Sequence, residues 1–454
     1  MVNKIIVFDF TIEAITSLYF GSERQGVIIR NSKNEPILLG SSIGGALRYY
    51  LKKNGVSDDE IIKYMGGVKK DKDTLKDIFI ESAIYISDGT IRINGNSNQD
   101  IPIKGKEGTM IQPETGTAKD KHKYSLEHLP AGTTVKFTIE SEVEFEEQEV
   151  GFQHIIETWA SGFVKGMLRL GGQQTNGFGE FKLIALEKRE LNLLSVQDLE
   201  DYIFNGYKNL SVKSIDIGER NSDTPFFHFI LKGSFPFGVY QGYQLGDGTT
   251  TGIQRMNGKY YLPSTSIKGV FKSELRLLLQ RFIRPEKIEN KLAEMLGNKE
   301  RKGILIFSDA MLEENFVRTH RNQRNDKYKQ VKETESVYIK IDRLTGGAYE
   351  GAIKKQSEIF GHTSIHIYLQ NGTKDSLVFP IVYILKKIAL GAITLGGRTA
   401  IGLGEFEGSE IEVRGQLIER YSVDNNREIV VMSEEQEERM GEYYESFRKW
   451  CISE

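Results

Sequence analysis

Two glycine-rich loops and two basic helix faces are the parts of this sequence whose residue types and spacing suit chemistry on phosphate. The first loop reads Gly171-Gly172-Gln173-Gln174-Thr175-Asn176-Gly177-Phe178-Gly179-Glu180-Phe181. The second reads Gly396-Gly397-Arg398-Thr399-Ala400-Ile401-Gly402-Leu403-Gly404-Glu405-Phe406, so that four glycines, a Glu and a Phe coincide without a gap. Glycine has no side chain to keep an oxyanion away from the backbone N–H groups, which is the physical use of such a loop beyond making tight turns. Arg48 and Lys52 in the first half, and Lys268, Lys272 and Arg276 in the second, recur at a spacing of four. That spacing puts them on one helix face, where they would supply sequence-independent phosphate contacts; the plain alternative is a solvated face. A further basic run, Arg318, Arg321, Arg324, Lys327, Lys329 and Lys332, is interrupted by the single acid Asp326.

The familiar nucleotide enzymes do not fit. A dinucleotide fingerprint needs a strand before its glycines and a helix after them, and here the order is reversed. No GxxxxGK[ST], HExxH or serine elbow occurs.

The elements that must position these residues come from an internal repeat. The loops lie at an offset of 225 residues (171 to 396). Upstream, Ser41-Ser42-Ile43-Gly44-Gly45 matches Thr265-Ser266-Ile267-Lys268-Gly269, and between the two anchors Ile111-Gln112-Pro113-Glu114-Thr115-Gly116-Thr117-Ala118 parallels Ile341-Asp342-Arg343-Leu344-Thr345-Gly346-Gly347-Ala348. The period-2 alternation of Phe8, Phe10, Ile12 and Ala14 predicts a half-buried first strand, repeated at Phe227, Phe229 and Leu231. The Ser-Ser and Thr-Ser pairs suit the N-cap of the helix that follows. A second helix, 153–170 or 379–395, leads into each glycine loop, and a strand leaves it. Strand, helix, strands, helix, strand is a ferredoxin-like, RRM-like layout, so the expected class is α+β with two tandem domains. The expected boundaries are 1–187 for the first domain, 188–224 for a linker with a short helix capped at Ser195, 225–414 for the second, and 415–454 for a helical tail. In that tail Ser433-x-x-Gln436 reads as a capping box, and Met440, Tyr443, Phe447 and Trp450 share a face.

Composition sets the outer limits. A chain of 454 residues exceeds what one hydrophobic core supports. No apolar run approaches the ~20 residues that span a bilayer, and no leader pattern opens the sequence, so a cytoplasmic protein without membrane contact is expected. The single cysteine, Cys451, excludes an internal disulfide and a thiolate zinc site. Sixty Lys+Arg against 63 Asp+Glu give a formal charge of -3, so any RNA must be met by local patches rather than by overall charge.

These residues resemble the RAMP superfamily of CRISPR-associated proteins, specifically the backbone subunits of type III effectors. Ile37–Gly45 and Tyr260–Gly269 are similar to that family's I-P-G-S-S-L-K-G element, 341–348 to its thumb-hairpin I-x-R-x-T-G-x-A, and both glycine loops to its glycine loop. The resemblance implies two RAMP domains with thumb hairpin insertions, in an antiviral-defence complex with guide (CRISPR) RNA, target RNA and other effector subunits as partners. It assigns RNA contacts to Arg48, Lys52, Gly171, Gly172, Gly177, Gly179, Lys268, Lys272, Arg276, Arg343, Gly396, Gly397, Arg398, Gly402 and Gly404. It also implies an endonuclease activity on target RNA, dependent on a divalent metal, magnesium being the expected ion, through an aspartate in the loop after the first strand. In 236–255 that residue is Asp247, as catalytic group and metal ligand; in 17–30 the first domain has only Glu23. Gly44 stands where the family has Lys, and Gln112-Pro113 where the second half has Asp342-Arg343, so weaker contacts and no cleavage are expected of the first domain. The alternatives are a scaffold of the same complex without catalysis, and the guide-processing endoribonuclease of the superfamily. The latter uses a histidine base, and neither first-strand loop contains a histidine.

Overall fold

The computed structural model describes residues 3–453 apart from 23–25, 71–76, 94–102, 113–117, 219–226, 238–239, 245–249, 254, 257, 299, 314–331, 370–374, 398, 400–401, 416 and 424–432. Contacts divide the chain into two units. One is Met1–Gly108 with Tyr124–Gln174 and Phe178–Ser222, and the other is Thr109–Lys123 with Thr175–Gly177 and Asp223–Glu454.

In the first unit β1 (Lys4–Ala14) buries alternate residues, Ile6, Phe8, Phe10, Ile12 and Ala14, as period-2 geometry requires. α1 (Gly40–Lys53) follows, burying Ile43, Leu47 and Leu51 at a spacing of four, then α2 (Asp58–Met65), whose cap is the Ser57 hydroxyl accepting from Glu60 N. β2 (Gly89–Ile93) precedes a two-stranded hairpin of β3 (Lys104–Ile111) and β4 (Ala118–His128), of which Thr109–Lys123 is grouped with the second unit. β5 (Thr133–Val143), α3 (Glu146–Val164) and β6 (Phe181–Asn192) complete the layer. The antiparallel sheet runs β6-β1-β5-β2, and α1 and α3 close its core face. There Phe10 stacks on Phe137 at 5.0 Å, and the buried Trp159 of α3 donates its indole N–H to Leu47 O of α1 at 3.2 Å. After β6, α4 (Val196–Asn205) begins at Ser195, whose hydroxyl accepts from Asp198 N.

The second unit repeats the order. β7 (His228–Phe237), α5 (Ser264–Leu279), α6 (Pro285–Leu296) and β8 (Leu305–Phe307) lead into a long hairpin of β9 (Lys332–Ile341) and β10 (Ala348–Leu369), followed by α7 (Val378–Ala389), β11 (Glu407–Arg414), β12 (Ile418–Ser422) and α8 (Glu434–Ile452). In its sheet β12-β11-β7-β10-β8 pair antiparallel, and the strand Thr250–Ile253 joins β10 in parallel. The repeat extends to an irregularity: β1 slips past β6 at Ile184, and β7 slips past β11 at Ser409, again 225 residues on (184 to 409). A bulge kept in register with the glycine loops aims both first strands alike. Ser433 and Gln436 form a reciprocal cap on α8, and its Met440, Tyr443, Phe447 and Trp450 pack on this unit's core. Lys291 of α6 holds the far end by donating to Trp450 O (2.7 Å) and Ser453 O (3.0 Å). Among the described residues no helix is long and apolar enough to cross a membrane.

Candidate nucleic-acid interface

The first helix of each half starts in the same way, and not as the Ser-Ser and Thr-Ser pairs suggested. The N-cap residues are Leu39 and Pro263, both at φ -63°, ψ 137° and both without a side-chain cap; the hydroxyl pairs lie inside the first turn. The cap comes from far along the chain. Gly40 N donates to Asp88 Oδ1 and Ser264 N to Asp309 Oδ1, each at 2.7 Å. A carboxylate there satisfies an orphan amide and faces the positive end of the helix dipole. Sequence reasoning missed both aspartates, although the signal was present as the repeated Ser87-Asp88-Gly89 and Ser308-Asp309-Ala310.

One turn into each helix sits an exposed glycine, Gly45 or Gly269, at matching positions. A methyl group built on either would touch nothing within 4 Å. Glycine inside a helix is about 0.5–1 kcal/mol worse than alanine, so the fold gains nothing from these two. They keep the helix surface bare.

The basic residues divide into those held by the protein and those turned outward. Arg48 Nη2 donates to Met65 O (2.6 Å) and Gly66 O (2.8 Å), closing the end of α2, and Lys52 pairs with Asp58 at 3.1 Å with both side chains largely exposed. Arg276 pairs with Glu289 at 2.5 Å. Lys272 is exposed, while Lys268 is half-buried and donates to Thr175 Oγ1 (2.8 Å) within the second unit. Burial first, and the charge of Lys272 second, pull the Lys268 ammonium down to about 8. An ammonium held this way favours an anion beside it, since the anion returns the interaction that water has lost.

The glycine loops share their closure. Leu170 N donates to Gly179 O (3.0 Å) and Leu395 N to Gly404 O (2.8 Å). Gly179 and Gly404 have φ of +79° and +84°, and a Cβ on either would lie 2.2 or 2.1 Å from the carbonyl of Leu170 or Leu395. Gly171, at φ +89°, has Tyr19 O 2.6 Å from where its Cβ would be. Those positions are glycine because the turn demands it. Several amides are also spent on the protein itself: Gly172 N on Tyr19 O, Gly179 N on Ser17 O, and Gly402 N on Thr399 O. Gly402 differs, with φ +94° and nothing within 4 Å of its missing Cβ. Gly177 and Gly396 also have positive φ, and Gly397 is half-buried. Below the first loop Arg169 and Glu180 form a buried ion pair at 2.6 Å, with the Arg side chain 2% exposed. Arg169 was not singled out from the sequence and Glu180 only as part of the repeat, since a basic residue eleven places from an acid carries no sign of burial.

The 341–348 element is the closed tip of the β9/β10 hairpin. Asp342 Oδ1 accepts from Leu344 N (2.7 Å), Asp342 N donates to Gly347 O, and Gly346 N to Asp342 O. Arg343 is exposed, and Leu344 is 96% exposed. Asp247, Glu23, Arg398 and the basic run from Arg318 to Lys329 lie outside the described residues, whereas Lys332 opens β9. Among the described residues no group of three or more His, Cys, Asp or Glu side chains is placed to hold a metal ion, so no metal-dependent step is derived from them.

In comparisons with known proteins, the family model of the RAMP superfamily matches residues 11–182 and 246–407, well over half of the chain and one stretch in each half. A search of the curated proteins finds no match.

Proposed function

We propose, since the chain belongs to the RAMP superfamily, that it is a two-headed backbone subunit of a type III CRISPR effector, binding guide RNA along both halves and presenting it to complementary target RNA. The strand orders β6-β1-β5-β2 and β11-β7-β10-β8 support reading each half as ferredoxin-like, and the β3/β4 and β9/β10 hairpins as the two thumbs. The observation that carries the reading is the duplicated helix start, in which Asp88 and Asp309 take the capping role while Gly45 and Gly269 leave a bare surface one turn in. Backbone can approach a sugar-phosphate chain closely there, and in the second half Lys268 and Lys272 stand beside it.

Purification from the native host should recover short RNA of defined 5' sequence, with affinity falling as salt rises because bound phosphates release counterions. Lys268→Ala with Lys272→Ala should weaken binding without unfolding the chain. RNA of random sequence, or affinity indifferent to both salt and the double substitution, defeats the proposal.

Cleavage of target RNA is assigned on the family resemblance to Asp247, the one acid of the 236–255 loop, with magnesium as the expected ion. A guide-loaded complex given matched target and magnesium should lose one cleavage position in Asp247→Asn, keep target binding, and be unchanged in Glu23→Gln. A full cleavage pattern in Asp247→Asn makes the chain a scaffold.

A further inference from the structure

α4 is a ten-residue helix none of whose residues is buried. A helix of that length is marginal in water on its own, and helices this short are normally held by packing an apolar face. The apolar face of α4 points outward: Val196, Ile203 and Phe204 are 71%, 73% and 83% exposed, and Leu194, just before the cap, is exposed with them. Val196 and Ile203 are seven residues apart, so they share one stripe of the helix. The segment belongs to neither stretch matched by the family model, which leaves 183–245 unmatched, so functions common to the family do not account for it.

Charge restricts what can cover this stripe. From Leu191 to Tyr207 the chain carries Asp198, Glu200 and Asp201 and no basic residue. Glu200 and Asp201 are exposed. A nucleic acid would be repelled, since its binding depends on cations facing phosphates. A second copy of the chain docked through the same face would set Glu200 and Asp201 against their own equivalents, because a two-fold contact pairs a patch with itself. We propose that the α4 face docks a different polypeptide, a basic amphipathic helix whose apolar residues recur at three- and four-residue spacing and whose flanks carry Lys or Arg.

The test is made on the full chain in its native host, with the photo-crosslinking residue p-benzoylphenylalanine in place of Val196, and with the same residue in place of the exposed Lys33 as control. The expected adduct is one other polypeptide, cross-linked through a segment of net positive charge with apolar residues at helical spacing. A synthetic copy of that segment should bind the unmodified protein, stripped of RNA, at least tenfold more tightly than Ile203→Ser/Phe204→Ser or Glu200→Lys/Asp201→Lys variants with unchanged circular dichroism. Adducts confined to a second copy, to RNA, or to an acidic or uniformly polar segment would overturn the proposal. So would a yield no greater than the Lys33 control, or a peptide that binds all variants equally.

Discussion

The first glycine loop and the second are closed by the same hydrogen bond, a glycine carbonyl accepting from the matching leucine amide, and yet what stands beneath them differs. Under the first, the bridge between strands joins Arg169 to Glu180 as a buried ion pair; under the second, the equivalent bridge joins Thr394 to Glu405. The first helices of the two halves differ in the opposite sense, since α1 has Gly44 where α5 has Lys268. In the first half charge is thus spent inside the protein, on the loop's foundation and on closing α2 through Arg48. In the second half Lys268 is half-buried against Thr175, Arg276 pairs with Glu289, and Lys272 is exposed. Duplication preserved the backbone, and the side chains divided the work.

The largest effect expected from this contrast is on stability. Arg169→Met leaves Glu180 buried without its partner, a change that costs about 3–5 kcal/mol. The two tryptophans report the halves separately, Trp159 from the core of the first unit and Trp450 from the second. Denaturant unfolding should show the Trp159 signal moving to lower denaturant in Arg169→Met while the Trp450 signal stays in place. Thr394→Val should produce a smaller shift, confined to Trp450. Equal movement of both signals would mean that the buried pair does not belong to the first half alone.

The next effect concerns binding and follows from Lys268. Its pKa in the folded protein, about 8, is below the ordinary lysine value, so between the two the unfolded chain holds the extra proton. Stability of the RNA-free protein should therefore rise as pH goes from about 8 towards 10.5. RNA affinity should do the reverse, because phosphate prefers the charged ammonium. It should be flat below about pH 7 and fall above 8 by up to about tenfold per pH unit, a slope that Lys268→Gln removes. Gly44 gives the first half nothing to titrate at the matching position, so a variant lacking Lys268 that kept the slope would place the titration elsewhere.

How much of this was legible in the sequence depended on whether cause and consequence were neighbours along the chain. The alternation from Phe8 to Ala14 is the buried face of β1, and Ser433 and Gln436 do cap α8, because both effects act over a few residues. The cap on α1 was assigned to Ser41-Ser42 by the same local logic, and Asp88, 48 residues away, displaced it. Local propensity cannot weigh a side chain that only the folded sheet brings near. The repeat compensated in part, since a motif that recurs at a fixed offset carries non-local information: Ser-Asp-Gly and Ser-Asp-Ala would have given the capping aspartates. The division of the basic residues into held and outward ones had no such signal, because Arg48 and Lys272 occupy equivalent places in the repeat and it is their surroundings in the fold that hold the first and leave the second exposed.

The smallest expected effect separates the nucleic-acid reading from a purely structural one most cleanly, because its two readouts move in opposite directions. Gly45 and Gly269 are helical, exposed and clear of every neighbour. If the positions mattered only to folding, Gly→Ala at either would be an improvement, worth about 0.5–1 kcal/mol through helix propensity. A methyl group on a surface that backbone phosphates approach closely would hold them off, and the loss should be greater at Gly269, where Lys268 and Lys272 draw the chain in, than at Gly45. The expected result is that both variants become slightly more stable and bind RNA more weakly, in the order Gly269→Ala before Gly45→Ala. Thermal unfolding of the RNA-free protein gives the first quantity and filter binding at fixed salt the second. More stable variants with undiminished affinity would show that the guide passes elsewhere, and would turn the matched glycines into an inheritance of the duplication without a role at the interface.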